Sequence, residues 1–189
     1  TVPSWLTFNS GTGVLSGTPT NSEVGNHNVT LRATDSLGNT SDQTFVITVA
    51  NTNDNPTMTS SSTGSVAENA ATSTVVYDAA ASDVDVGDTF TFSISGTDAG
   101  SFIIDSNDGE LRLSSSANYE VKSTYNLNVI VTDAGGLTDT EAVIINISDV
   151  NESPTITSSS TGSVVENAAT STIVFDAAAS DVDAGDTLT

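Results

Sequence analysis

Apolar and polar residues alternate along most of this chain. Phe90, Phe92 and Ile94 interleave with Thr89, Thr91 and Ser93, and Tyr125, Leu127, Val129 and Val131 interleave with more polar neighbours. Val143, Ile145 and Ile147 repeat the pattern. A period of two, rich in β-branched residues and broken by Gly, Asn, Asp and Ser, predicts two-faced antiparallel strands. Ser106-Asn107-Asp108-Gly109, between Phe102-Ile103-Ile104 and Leu111-Arg112-Leu113, predicts a hairpin. The Ala-rich runs 79–81 and 177–179 are too short to hold a helix and lead straight into Ser and Asp. The fold class is therefore all-β, with about seven short strands to a Greek-key β-sandwich.

The pattern recurs. Residues 57–91 and 155–189 align without a gap, and only six of the 35 positions differ: Met58/Ile156, Ala67/Val165, Val75/Ile173, Tyr77/Phe175, Val86/Ala184 and Phe90/Leu188. All six exchanges are apolar, as expected where a core must stay filled. Upstream, Ala33-Thr34-Asp35 matches Val131-Thr132-Asp133, and Asn21-Ser22-Glu23 matches Asn118-Tyr119-Glu120. Tandem repeats follow: residues 1–56 are the back half of one repeat, 57–154 a whole repeat, and 155–189 the front part of a third. A polar hexapeptide closes two of them, Asn51-Thr52-Asn53-Asp54-Asn55-Pro56 and Asp149-Val150-Asn151-Glu152-Ser153-Pro154. The chain begins with Thr1 and carries no basic-plus-apolar leader, so it is expected to be an internal piece of a longer polypeptide.

Composition narrows the function. Three basic residues against 24 acidic ones give a net charge of −21, which argues against nucleic acid or an anionic membrane as partner. No apolar run approaches the roughly 20 residues of a membrane helix, so no membrane insertion by this segment is expected. With no cysteine and one histidine, disulfides, zinc sites and hydrolytic triads lack material, and no enzymatic activity is expected. The acids either coat a solubilising surface or collect divalent ions, and their positions distinguish the two. They recur as Glu68, then Asp83 with Asp85, Glu120, Asp133, and Asp149 with Glu152; the partial repeats carry Glu166, Asp181, Asp183, Glu23, Asp35 and Asp54. Asp149 and Glu152, leaving one repeat, are expected to meet the Asp181/Asp183 loop of the next. Carboxylate, amide and backbone carbonyl oxygens together suit a hard cation such as calcium.

At this point the residues resemble the cadherin repeat family. Five elements appear in the family's order: Glu68-Asn69, Asp83-Val84-Asp85, Asn118-Tyr119-Glu120, Val131-Thr132-Asp133 and the hexapeptide 149–154. The segment with Pro3-Ser4-Trp5-Leu6 and Gly13-Val14-Leu15-Ser16-Gly17-Thr18-Pro19 is similar to immunoglobulin-like and cadherin-like repeats of large bacterial-type surface adhesins and RTX-like surface proteins. The resemblance implies Ca2+ between consecutive repeats, up to three ions per junction. At the later junction it implies Glu68, Glu120, Asp149, Asn151, Glu152, Asp181 and Asp183 as ligands, with carbonyls of Val150 and Ser153. At the earlier one it implies Glu23, Asn51, Asn53, Asp54, Asp83, Asp85 and Asp133, with carbonyls of Thr52 and Asn55; one further Glu would precede Thr1. Asn118 and Asn51 stand where the family has Asp, and Glu152 is a longer substitute, so two ions per junction are expected rather than three.

Other motifs are weaker. Asp83–Asp88 superficially resembles an EF-hand loop, but Gly87 sits at loop position 5 and Ile94 at position 12. His27 aligns with Tyr125 and is expected to be structural; Trp5 is expected in the core. The sequence thus reads as a calcium-dependent adhesion or spacer segment, extracellular or at the cell surface. Its expected partners are neighbouring repeats of the same chain, with other adhesin copies and surface glycans beyond them. A carbohydrate-binding module of a secreted polysaccharide-degrading enzyme is the alternative; it needs a line of exposed aromatics, and aromatic residues make up only 5% of the chain. Homophilic adhesion, as in animal cadherins, is a third reading.

Overall fold

The computed structural model describes residues 2–189; Thr1, where the first half-repeat is expected to begin, lies outside the described residues. Strands dominate. The first segment carries β1 (Leu6–Asn9), β2 (Val14–Gly17), β3 (Gly25–Thr34) and β4 (Thr40–Val49). Next come β5 (Thr57–Met58), β6 (Thr63–Ala67), β7 (Val75–Asp78), β8 (Ala81–Ser82) and β9 (Thr91–Ser95). They are followed by β10 (Phe102–Ile104), β11 (Glu110–Leu113), β12 (Thr124–Thr132) and β13 (Thr138–Ser148), then β14 (Thr155–Ile156) and β15 (Ala179–Ser180). Counting β5 with β6 and β7 with β8 as interrupted strands gives seven strands across 57–148. The only helical elements among the described residues are the 3-10 turns Asn21–Glu23 and Ala99–Ser101, so the Ala-rich runs are indeed not helical and no helix is long and apolar enough to cross a membrane.

Two larger sheets carry most of the stretch 57–148, one ordered β10-β11-β7 and the other β6-β13-β12-β9, and β5 pairs antiparallel with β8 in a short two-stranded sheet. The alternation read from sequence sets their inner faces. Leu127, Val129 and Val131 on β12, and Val143, Ile145 and Ile147 on β13, are buried, with exposed residues between those of β13. Val66, Val76, Tyr77, Ala79, Phe92, Phe102, Leu111, Leu113 and Ala117 are buried with them. The expected hairpin forms: β10 and β11 pair antiparallel from Phe102↔Leu113 to Ile104↔Leu111, and Gly109 turns at φ 80°. One expectation is corrected. β6 pairs parallel with β13, Thr63 to Ala67 opposite Ile144 to Ser148. Alternation specifies which face a strand buries, not the direction of its neighbour, and here the entering strand lies beside the leaving one.

That pairing depends on glycine. A Cβ on Gly64 would lie 2.4 Å from the Val76 carbonyl oxygen and 2.7 Å from Ile145 Cδ1, so any side chain would push β6 from the core. Gly162 repeats the constraint, its Cβ position being 2.6 Å from the Val174 carbonyl oxygen.

The described residues gather into two compact units that do not follow the repeat boundaries. One takes residues up to Thr59 with Ala81–Thr91 and Val131–Asp139; the other takes Ser60–Ala80, Phe92–Ile130 and Thr140–Thr189. Each hexapeptide therefore lies wholly inside one unit. In the first unit β3 and β4 pair over ten residues around the buried Val29. His27 there meets Trp5 edge-on at 5.5 Å, and its Nε2 lies 2.5 Å from the Glu23 carbonyl oxygen, a structural placement. In the second, Phe102 and Tyr125 form a similar pair at 5.4 Å, with Lys122 Nζ 4.8 Å from the Tyr125 ring. Lys122 also donates to Asp98 Oδ1 at 2.5 Å, and the Asn126 N–H donates to Asp98 Oδ2 at 2.7 Å.

Two outcomes follow from this packing. Gly64→Ala is expected to lower stability by about 1–3 kcal/mol through overpacking, seen as a lower thermal midpoint. The Lys122 hydrogen bond, and then the Asn126 N–H, hold the Asp98 carboxyl below its ordinary 3.8. A depressed carboxyl adds stability above its unfolded value and loses it as pH falls through its folded one. Asp98→Asn should therefore lower the melting temperature at pH 7 and flatten the fall in stability below pH 3.8; urea titrations at several pH values would measure both.

Candidate metal centres at the linkers

Strand ends and one tight turn aim the acids of the later linker. Glu68 follows β6 directly. Asn69 after it adopts φ 58°, and Asn167 at the matching position φ 60°, a left-handed conformation that Asn tolerates better than most residues. Glu68 is only 2% exposed, and both carboxylate oxygens accept main-chain bonds at 2.9 Å, from Tyr119 N–H and Val150 N–H. Those two N–H groups hold its carboxyl below the ordinary value despite burial. Glu68 thereby ties the end of β6 to the 118–120 segment and to the linker.

Around it the carboxylates form three overlapping trios, each with oxygens within 4.8 Å of one another: Glu68, Glu120 and Glu152; Glu120, Asp149 and Asp183; Asp181, Asp183 and Asp186. Glu120 and Asp183 are the shared members. The linker is docked onto the Asp181/Asp183 loop by the Glu152 N–H, which donates to Asp183 Oδ2 at 2.8 Å. The Asn69 side chain donates to Glu152 Oε1 at 2.7 Å, and the Asn151 side chain to the Glu152 carbonyl oxygen at 2.8 Å. Val150, Asn151 and Ser153 are exposed. Burial, then Asp183 and Glu68, push Asp149 up; burial, then Glu68, Asp183 and Glu120, do the same to Glu152.

The earlier linker repeats part of this plan. The Asp54 N–H donates to Asp85 Oδ2 at 2.8 Å, matching the bond from Glu152 to Asp183. Asn53 donates to the buried Asp133 at 2.8 Å, and Asn21 to Asp54 Oδ2 at 2.6 Å. Burial raises Asp133, but Asn53 and the N–H groups of Leu137, Gly136 and Gly135 outweigh it and leave the carboxyl below its ordinary value. Asn51, Thr52 and Asn55 are exposed, Asn55 donating to the Thr138 carbonyl oxygen at 3.4 Å. One trio forms here, Asp83, Asp85 and Asp88.

Glu23 stands in a different local setting. Aligned with Glu120, it takes no part in a trio; its carboxylate accepts the Thr20 N–H at 2.8 Å and the Thr20 and Ser22 hydroxyls at 2.7 and 2.9 Å. The 3-10 turn from Asn21, capped at Thr20, brings these local donors to it. Sequence reading also passed over Asp88 and Asp186. Their signal was present: both recur three residues after the paired aspartates, behind Gly87 and Gly185.

The donor set fits a hard cation. Seven buried side-chain polar atoms among the described residues have no hydrogen-bond partner, and five are carboxylate oxygens at these linkers: Asp83 Oδ2, Asp85 Oδ1, Asp88 Oδ2, Glu152 Oε2 and Asp183 Oδ1. Buried acceptors are normally paired. No Lys or Arg serves them, because Arg32 pairs with Asp42, Arg112 with Glu110 and Lys122 with Asp98, and the chain has only these three. Oxygen ligands alone, without thiolate or imidazole, suit calcium rather than zinc.

Comparison with known proteins agrees. The Cadherin domain family matches residues 62–148, and an Ig domain family (He_PIG) matches residues 1–50. Mouse Protocadherin Fat 2 is 36% identical over 155 residues, covering 76% of this chain and 4% of that protein. Human Protocadherin beta-1 is 32% identical over 94 residues, covering 47% of this chain and 12% of that protein. The chain thus spans a small fraction of these relatives. The crystal structure of mouse Cadherin-23 EC22-24 superposes with a TM-score of 0.68 at 27% identity, covering 97% of this chain and 63% of that one. Cadherin repeats bind Ca2+, and the acid clusters stand at their junction positions. Residues 62–148 therefore match the Cadherin domain family and fold as a cadherin-like β-sandwich, and residues 1–50 match an immunoglobulin-like domain family.

Proposed function

We propose that calcium bound at the two linkers stiffens this chain as part of a tandem array in a cell-surface protein. The observation that carries the reading is the continuous line of trios from Glu68 to Asp186, with buried carboxylate oxygens that no Lys or Arg neutralises. In this reading residues 1–56, 57–154 and 155–189 are the back half, the whole and the front part of consecutive repeats. Glu68, Glu120, Asp149, Glu152, Asp181 and Asp183 bind the ions of the later junction, with Asn151 and the carbonyls of Val150 and Ser153 completing coordination. The three trios favour three ions there, one more than ligand charge alone suggested. The single trio at the earlier linker favours fewer, with Asp54, Asp83, Asp85 and Asp133 as main ligands beside Asn51, Asn53 and the carbonyls of Thr52 and Asn55. Pairing of an immunoglobulin-like segment with a cadherin domain supports a large surface adhesin of the bacterial type. Other copies of the adhesin and surface glycans are its proposed outer partners. A glycan-binding module is less well supported, since Trp5 is half-buried against His27.

Two measurements test this. Calcium should raise the thermal midpoint over that in chelator, each ion adding about 1.4 kcal/mol at a concentration near ten times its Kd. Asp183→Asn, which removes the charge shared by two trios, should lose most of that rise. In small-angle scattering the chain should become longer and straighter in millimolar calcium, and Asp181→Ala with Asp183→Ala should blunt the change. A profile that chelator leaves unaltered would overturn the reading.

A further inference from the structure

We propose that Asp88 and Asp186 are themselves cation ligands, each closing a three-carboxylate cup carried by a single six-residue loop. The inference rests on the calcium reading of the linkers and extends it to two residues outside the paired-aspartate motif.

The turn makes the cup. Gly87 lies at φ 94° and Gly185 at φ 103°, a backbone that disfavours side chains. The chain reverses there, and the Asp88 N–H donates back to the Asp85 carbonyl oxygen at 3.4 Å. Asp88 thus returns to Asp83 and Asp85, carboxylate oxygens of all three lying within 4.8 Å. The other two are pinned by one oxygen each: Asp83 Oδ1 accepts the Asp85 N–H and Asp85 Oδ2 accepts the Asp54 N–H, both at 2.8 Å. The remaining oxygens, Asp83 Oδ2 and Asp85 Oδ1, are buried without a partner, as is Asp88 Oδ2.

Two observations separate this cup from an ordinary acidic surface. Asp85 is only 8% exposed, and its one unpaired oxygen, Oδ1, is shut away from solvent, where an isolated charge is costly. The arrangement also occurs twice: Asp181, Asp183 and Asp186 cluster in the same way, and Asp183 Oδ1 is again buried and unpaired. All donors are carboxylate oxygens from one short loop with no imposed octahedral arrangement, which fits calcium better than the strict octahedron of magnesium.

The test uses the whole chain, stripped with chelator and titrated calorimetrically with calcium chloride. Asp88→Asn keeps the size of the side chain and removes its charge. It should weaken one calcium site about tenfold or more, since calcium affinity follows ligand charge count. The same variant should melt higher than wild type in chelator and gain less on adding calcium, an opposed pair of shifts that lost packing would not produce. Asp186→Asn should do the same at the other loop and decides the matter if Asp88→Asn fails to fold. Isotherms that superimpose on wild type would overturn the assignment of Asp88 and Asp186 while leaving calcium at the linkers intact. A wild-type chain that takes up no calcium would overturn the linker reading itself.

Discussion

Crowded carboxylates without an internal counter-charge are the constraint around which both linkers are organised. Each of the three basic residues is paired with an acid away from these clusters. The linker acids are nevertheless drawn together, partly buried and fixed by main-chain donors, as with Glu68 under Tyr119 and Val150. Preorganisation of like charges is unfavourable in isolation and becomes favourable once a divalent ion enters. The fold supplies the rigidity that keeps the acids from relaxing apart.

That rigidity comes from the same alternation that defines the core. Ile145 and Ile147 anchor β13 up to Ser148, and Asp149 follows at once, so the packing of the strand positions the first linker acid. Val66 does the same for Glu68 at the end of β6. The two residues lie one step beyond the Ser148↔Ala67 pair, so the register of the parallel ladder brings their carboxylates to the same pole.

Much of this was legible in the chain. Period-two runs located β9, β12 and β13, the Ser106–Gly109 turn located a hairpin, recurrence at a fixed spacing singled out Glu68, Asp83 and Asp85, a gapped match added Glu120, and the repeated hexapeptide drew in Asp149. Three features were not. Parallel pairing of β6 is a tertiary choice that side-chain periodicity does not encode. The setting of Glu23 depends on local donors at Thr20 and Ser22, which bond the oxygens that an ion would use. Asp88 was hidden because an EF-hand spacing test asks about the wrong loop; the reversal at Gly87 sets its direction, not its distance along the chain.

The parallel ladder between β6 and β13 has a further consequence. These are the entering and leaving strands, they run in the same direction, and five residue pairs join them. When opposite ends of such a strand pair are tugged apart along their length, the cross-strand bonds resist together in shear instead of opening one after another like a zipper. Gly64, by letting β6 lie against the Val76 backbone, keeps that clasp closed under tension.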